Sequence, residues 1–185
     1  GDDRLDDALD WVDDAGDSVT EAVGGGSDVV RSSVSYALRP NVERLTLTGF
    51  VDLAAWANAG NAVSYLDGNA GNNTFNGPGT YVNASGTPVT SVGGGEAGYA
   101  VMAGGAGDDT YVVDSATDTV TELAGEGTDM VQTSVTHTLA TNVENLTLLD
   151  AGGAINGTGN ELDNALTGNI YDNVLSGGGG NDRFE

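Results

Sequence analysis

Residues 104–112, GGAGDDTYV, and residues 177–185, GGGGNDRFE, each set clustered glycines, then an aspartate, then a large apolar residue two positions on. Glycines let a tight turn take positive φ, and such a turn can aim carbonyl oxygens inward beside the carboxylate. The chemistry open to it is ligation of a hard cation by oxygen. The candidate ligands are Gly104, Gly105, Ala106, Gly107, Asp108 and Asp109, and again Gly177, Gly179 and Asp182. Asp118 and Asp129 precede Val120 and Val131 by two, as Asp109 precedes Tyr111, and Asp17 and Asp28 precede Val19 and Val30 likewise. Asp3 joins them, because GDD at 1–3 matches GDD at 107–109. Six to eight oxygens at flexible distances suit calcium, whereas magnesium demands a smaller octahedron and keeps its waters. Several calcium ions are the expected cofactor.

The elements that must position these residues are repeats. Residues 12–47 lie on 113–148 without a gap, with about half the positions identical, so one unit is present twice. A shorter beat of nine follows each copy: Gly159, Gly168 and Gly177 keep it, and so do Gly68, Gly77, Gly86, Gly95 and Gly104. A structure that grows in whole repeats is a stack. Each nine-residue piece reads as a turn and a short strand that buries one side chain, namely Leu66, Phe75, Tyr111, Leu166, Leu175 or Phe184. Two pieces make a coil of roughly 18 to 20 residues, and coils stack as parallel strands about 4.8 Å apart. This places Asp109 and Asp129 on one edge, a coil apart, with Asp118 on the opposite edge. The stretches DMVQTSVTHTL and NVENLTLL read as strands of the same stack. Residues 5–14, LDDALDWVDD, read either as a short amphipathic helix or as an acidic surface loop. The expected units are 1–103, with three inserted nine-residue pieces, 104–176, and the start of a third at 177–185.

The aspartate column is broken at Asn73, Val82, Ser91 and Ala100, and later at Asn164 and Asn173. Asparagine offers a carbonyl oxygen but no charge. The dense cation sites are therefore expected near 104–129 and near 177–182.

The pattern G-G-x-G-x-D-x-U-x, with U a large apolar residue, resembles the RTX, or haemolysin-type, calcium-binding nonapeptide, and residues 104–112 and 177–185 carry it. That resemblance implies an all-β fold, a right-handed parallel β-roll (β-solenoid) with calcium along both edges, and export from Gram-negative bacteria by a type I machine. It leaves open whether the roll is joined to a protease, lipase, toxin or adhesin.

Composition agrees with a need for cations. The 185 residues include 30 Gly and 28 acidic side chains against five basic ones, for a net charge of −23. Repulsion and glycine entropy oppose condensation of such a chain until something neutralises the acids. No basic patch exists to meet phosphates, so nucleic acid is excluded as a partner, and no long apolar run spans a membrane. With no cysteine, disulfides and thiolate metal sites are absent as well. His137, the single histidine, aligns with Tyr36 and reads as structural, which disfavours a Ser-His-Asp triad. Counting acids leaves a two-carboxylate glycosidase open, although most acids fall on repeat positions. Trp11 and Trp56 read as packing residues or as sugar-stacking ones.

The expectation is a non-enzymatic, secreted, extracellular or cell-surface bacterial module that folds on binding calcium and serves as spacer or body of an adhesin, surface layer or filament. Self-assembly with neighbouring repeats or chains goes with it. The alternative is an accessory C-terminal domain of a type I secreted hydrolase or toxin. A third reading displays Trp56 and the inserted pieces to sugar or ice.

Overall fold

The computed structural model describes residues 9–58, 63–77, 80–82, 88–90 and 99–185. The protein is all-β. Its strands in chain order begin with β1 (Leu9–Val12), β2 (Val29–Ser32), β3 (Tyr36–Ala37), β4 (Arg44–Leu47), β5 (Ala54–Trp56), β6 (Val63–Asp67) and β7 (Thr74–Asn76). Next come β8 (Thr80–Val82), β9 (Pro88–Thr90), β10 (Tyr99–Ala103), β11 (Thr110–Val113), β12 (Thr119–Thr121) and β13 (Met130–Thr133). The last are β14 (His137–Thr138), β15 (Asn145–Leu148), β16 (Gly157–Thr158), β17 (Ala165–Thr167), β18 (Leu175–Ser176) and β19 (Arg183–Phe184). Among the described residues the helical content is a 3-10 turn at Asp150–Gly152, and no helix is long and apolar enough to cross a membrane.

A first sheet runs β1-β2-β4-β6-β10-β12 and a second runs β3-β5-β7-β11-β13-β15-β17-β19. All their pairings are parallel. From β2 to β7, and again from β10 to β13, the chain alternates between the two sheets; thereafter β14, β16 and β18 form a small parallel sheet that alternates with the second. Strands this short are what Gly- and Asn-rich turns on a nine-residue beat permit, since each turn interrupts the strand after a few residues.

Side-chain alternation sets what the sheets enclose. On the second sheet, Tyr36, Ala55, Phe75, Tyr111, Val131, Leu146, Leu166 and Phe184 stand opposite one another from strand to strand. All but the last are buried. The first sheet supplies Val30, Leu45, Leu66, Met102 and Val120 in one inward row. The rings of Phe75 and Tyr111 stack with centroids 5.3 Å apart. Of the six side chains expected to fill the strands, Leu66, Phe75, Tyr111 and Leu166 are core, Leu175 is partly buried against it, and Phe184 on the final strand is exposed.

The inserted pieces depart from the expected stack. Leu66 faces Met102 and Phe75 faces Tyr111, so the parallel ladder steps over the inserted residues. The described part of them, β8 and β9, pairs antiparallel. In the sequence the nine-residue beat between Phe75 and Met102 falls on Ala84 and Gly93, residues with little or no side chain. Residues 5–14 form no helix where they are described. Leu9–Val12 is a strand on β2, with Val12 in the core, so tertiary pairing overrides the local helical pattern. The duplicated unit also changes sides, because Val29–Ser32 and Arg44–Leu47 lie in the first sheet while their counterparts Met130–Thr133 and Asn145–Leu148 lie in the second.

Phe75→Ala, which empties the centre of this ladder, is expected to destabilise the protein by about 3–5 kcal/mol in denaturant unfolding. Phe50→Ala, at an exposed ring, is expected to stay within about 0.5 kcal/mol of the parent.

Candidate metal centre

Each strand of the second sheet that follows an aspartate starts one residue after it: Asp109 before Thr110, and Asp129 before Met130. Because Thr110 pairs with Met130, the two aspartates stack across neighbouring strands. Glu122 follows β12 of the first sheet and enters the same place from the turn between the sheets. Oxygens of Asp109, Glu122 and Asp129 all lie within 4.8 Å of one another, and the three residues are 1%, 5% and 1% exposed.

Backbone groups hold two of these carboxylates. Asp109 Oδ1 accepts from the Asn73 N–H at 2.6 Å, and Asp129 Oδ1 accepts from the Asp109 N–H at 2.8 Å. The Asp129 N–H donates in turn to Glu144 Oε2 at 2.8 Å. The Tyr111 hydroxyl hydrogen-bonds Glu122 Oε1. Asp109 Oδ2 and Glu122 Oε2 are buried without a hydrogen-bond partner. Buried polar atoms are nearly always partnered, and an unpaired buried charge is costly. The ion pairs among the described residues, Arg44–Asp67 and Arg183–Glu185, are elsewhere. Burial, reinforced by the neighbouring carboxylates, pushes Asp109 to about 7, Glu122 to about 8 and Asp129 to about 6. A divalent cation would answer both the unpaired oxygens and the mutual repulsion, and an all-oxygen donor set suits a hard one.

Glycine serves the cluster in two ways. Gly105 and Gly107 turn the chain at φ 84° and 123°, where other side chains are strained. Gly104 is needed for close approach, since a Cβ there would strike Asp109 Oδ2, Tyr111 OH and Glu122 Oε1. Ala106 and Asp108 are exposed beside it; the Asp108 N–H donates to Asn72 Oδ1, and its carboxylate accepts from the Thr128 N–H.

The remaining expected ligands are not gathered here. Asp118 lies apart, its oxygens accepting from the backbone N–H groups of Ala100, Asp114 and Ser115, and burial raises it to about 6. Asp17 closes the corresponding turn of the first copy through the N–H groups of Asp13 and Asp14. Asp28 is buried, with its N–H on Glu43 as Asp129 has its own on Glu144. Asp3 lies outside the described residues. Asp182 accepts from the Asn164 N–H at 3.0 Å, and a Cβ at Gly177 would strike it, but Asn164 stands where a second carboxylate would be needed. Gly177 and Gly179 thus serve a turn, with the positive φ at Gly178 and Gly180.

Where asparagine replaces aspartate, the amides bind neighbouring segments, Asn164 Nδ2 donating to the carbonyls of Val143 and Glu144 and Asn173 Nδ2 to that of Ile155, and asparagines of the preceding turns do the same. Asn160 Nδ2 donates to the carbonyls of Ala140 and Val143, and Asn169 Nδ2 to those of Leu149 and Gly153. Glu122 was missed in the sequence because it is off the nine-residue beat; its counterpart Glu21 in the other copy was the available signal. His137 is largely buried, its Nε2 has no hydrogen-bond partner, and burial lowers its pKa, in keeping with a structural position.

No protein-family model matches the chain, and no solved structure matches it. The chain is 34% identical over 126 residues to Endo-1,3-1,4-beta-glycanase ExsH of Rhizobium meliloti (strain 1021), a stretch that makes up 68% of this chain and 21% of that protein. The chain therefore spans about a fifth of the relative it matches. This similarity overturns the expectation of a non-enzymatic calcium-binding module serving as spacer or body of an adhesin, surface layer or filament, and gives no support to a toxin tail. The matching protein is named as a glycan-cleaving enzyme.

The raised carboxylates fix a pH dependence. Groups whose folded pKa lies above the unfolded value of about 4 stabilise the cation-free protein at low pH, and that contribution is lost as pH rises through about 6 to 8. In chelator, the melting temperature followed by circular dichroism is expected to be higher at pH 5 than at pH 8. Calcium should restore it at pH 8, and Glu122→Gln should narrow the difference in chelator.

Proposed function

We propose that this chain is a section of a secreted glycan-cleaving protein acting on β-1,3-1,4-linked glycans, and that Asp109, Glu122 and Asp129 hold a calcium ion that keeps the section folded. The observation that carries the glycan reading is the 34% identity to the glycanase across 68% of the chain. Calcium is favoured by the buried, all-oxygen, cation-free surroundings of the three carboxylates. The RTX resemblance agrees with it, and the finer architecture follows: the two alternating parallel sheets are walls of a right-handed β-roll whose coils the ion clamps along one edge.

Cleaving a glycosidic bond requires a pair of carboxyl groups open to the sugar on both sides of the scissile oxygen. The trio is too enclosed for that, so it suits an ion better than a sugar. Metal binding of this kind is coupled to folding, because the site is assembled only when the coils stack.

Two assays test the two halves separately. Release of reducing ends from a β-1,3-1,4-linked glycan by the full-length protein is expected, and no release would overturn the substrate. Calcium titration of this chain followed by circular dichroism is expected to drive a rise in β signal that magnesium does not give and that Asp109→Ala/Asp129→Ala weakens. Equal responses to both ions, or in parent and variant, would overturn the calcium site.

A further inference from the structure

Parallel sheets are ordinarily covered on both faces. The first sheet of this protein is covered on its inward face by the core, yet its outward face carries Trp11, Tyr65 and Tyr99 at 62%, 39% and 37% exposure. Trp11 stands beside Arg31 on the adjacent strand, and the Arg31 guanidinium lies 5.8 Å from the indole centroid. Arg44 stands beside Tyr65, 5.6 Å from its ring, and grips Asp67 through Nε and Nη2 at 2.6 and 2.9 Å. Tyr99 follows on the next strand, two residues out of step with Tyr65.

We propose that this outward face, built on Trp11, Tyr65 and Tyr99 with Arg31, Arg44 and Asp67 between them, is a platform that holds a β-linked glycan chain. It deepens the reading above and rests on it for the ligand class. The geometry is what a sugar chain requires. Rings pinned by guanidinium groups offer flat apolar surface to the C–H faces of pyranoses, while the guanidinium donors and the Asp67 acceptor meet hydroxyls at the ring edges. The face is long enough for several sugar units: β1 and β6 are three strand spacings apart, about 14 Å.

Charge narrows the occupant. On a chain of net charge −23, this face holds two of the five basic residues, with a single paired carboxylate between them. An uncharged polyol meets no repulsion there. A second copy of the chain would bring the same strong negative charge against its own. Trp56 is no substitute for this platform, since its Nε1 is buried without a partner and it lies on the second sheet.

Fluorescence reads the face directly, because Trp56→Phe leaves Trp11 as the sole tryptophan. In calcium, a β-1,3-1,4-linked glucan oligosaccharide is expected to shift and quench Trp11 emission saturably, and Tyr65→Ala and Tyr99→Ala should each weaken binding by roughly tenfold. Retardation of the parent chain in gels containing the glycan should be lost in Trp11→Ala, whose circular dichroism should match the parent. Unchanged Trp11 emission, or equal retardation of parent and variants, would overturn the platform. So would a dimer in sedimentation that Trp11→Ala dissolves. Failure of the full-length protein to release reducing ends, with Trp11 binding intact, would overturn the hydrolytic reading and leave the platform standing.

Discussion

Carboxylates stacked in the dry space between neighbouring strands repel one another and lose their hydration, and everything along this edge of the protein is shaped by that problem. The parallel register of β11 and β13 forces Asp109 over Asp129, and the turn after β12 adds Glu122. Backbone N–H groups answer part of the charge, but two oxygens stay buried and unpartnered. The residual must be met by protons or by a cation. Burial raises the pKa of all three and so favours protonation of the cluster in ion-free protein, whereas a bound divalent ion would let the same residues ionise.

Elsewhere the stack uses neutral chemistry. Asn160 and Asn169 reach carbonyls some twenty residues back, and the apolar ladder from Tyr36 to Leu166 is widened by second buried side chains such as Leu47, Val113 and Leu148. The outward face of the first sheet carries Arg31 and Arg44 with the single carboxylate of Asp67, beside the exposed rings of Trp11, Tyr65 and Tyr99.

Much of this was legible in the sequence. The nine-residue beat located Leu66, Phe75, Tyr111 and Leu166 in the core, and Asp109 and Asp129, expected on one edge, precede paired neighbouring strands. Asp118 lies apart from them, its oxygens closing a turn of their own. What the pattern could not show came from three-dimensional pairing. Glu122 lies off the beat; the ladder passes from Leu66 to Met102 and from Phe75 to Tyr111; and Leu9–Val12 joins a sheet although its acidic surroundings suggested a helix or loop. Function was misread for a different reason. Repeat positions explain folding, whereas the tie to glycan cleavage rests on a relative five times longer than the matched stretch.

The most direct test of the central claim uses Tyr111 as a built-in antenna, because its hydroxyl touches Glu122. With terbium in place of calcium, excitation of tyrosine should give sensitised terbium emission that calcium displaces, that magnesium leaves in place, and that falls in both Tyr111→Phe and Glu122→Gln. Emission equal in the parent and both variants would mean that the ion binds elsewhere on this acidic chain, and would contradict a cation trapped among Asp109, Glu122 and Asp129.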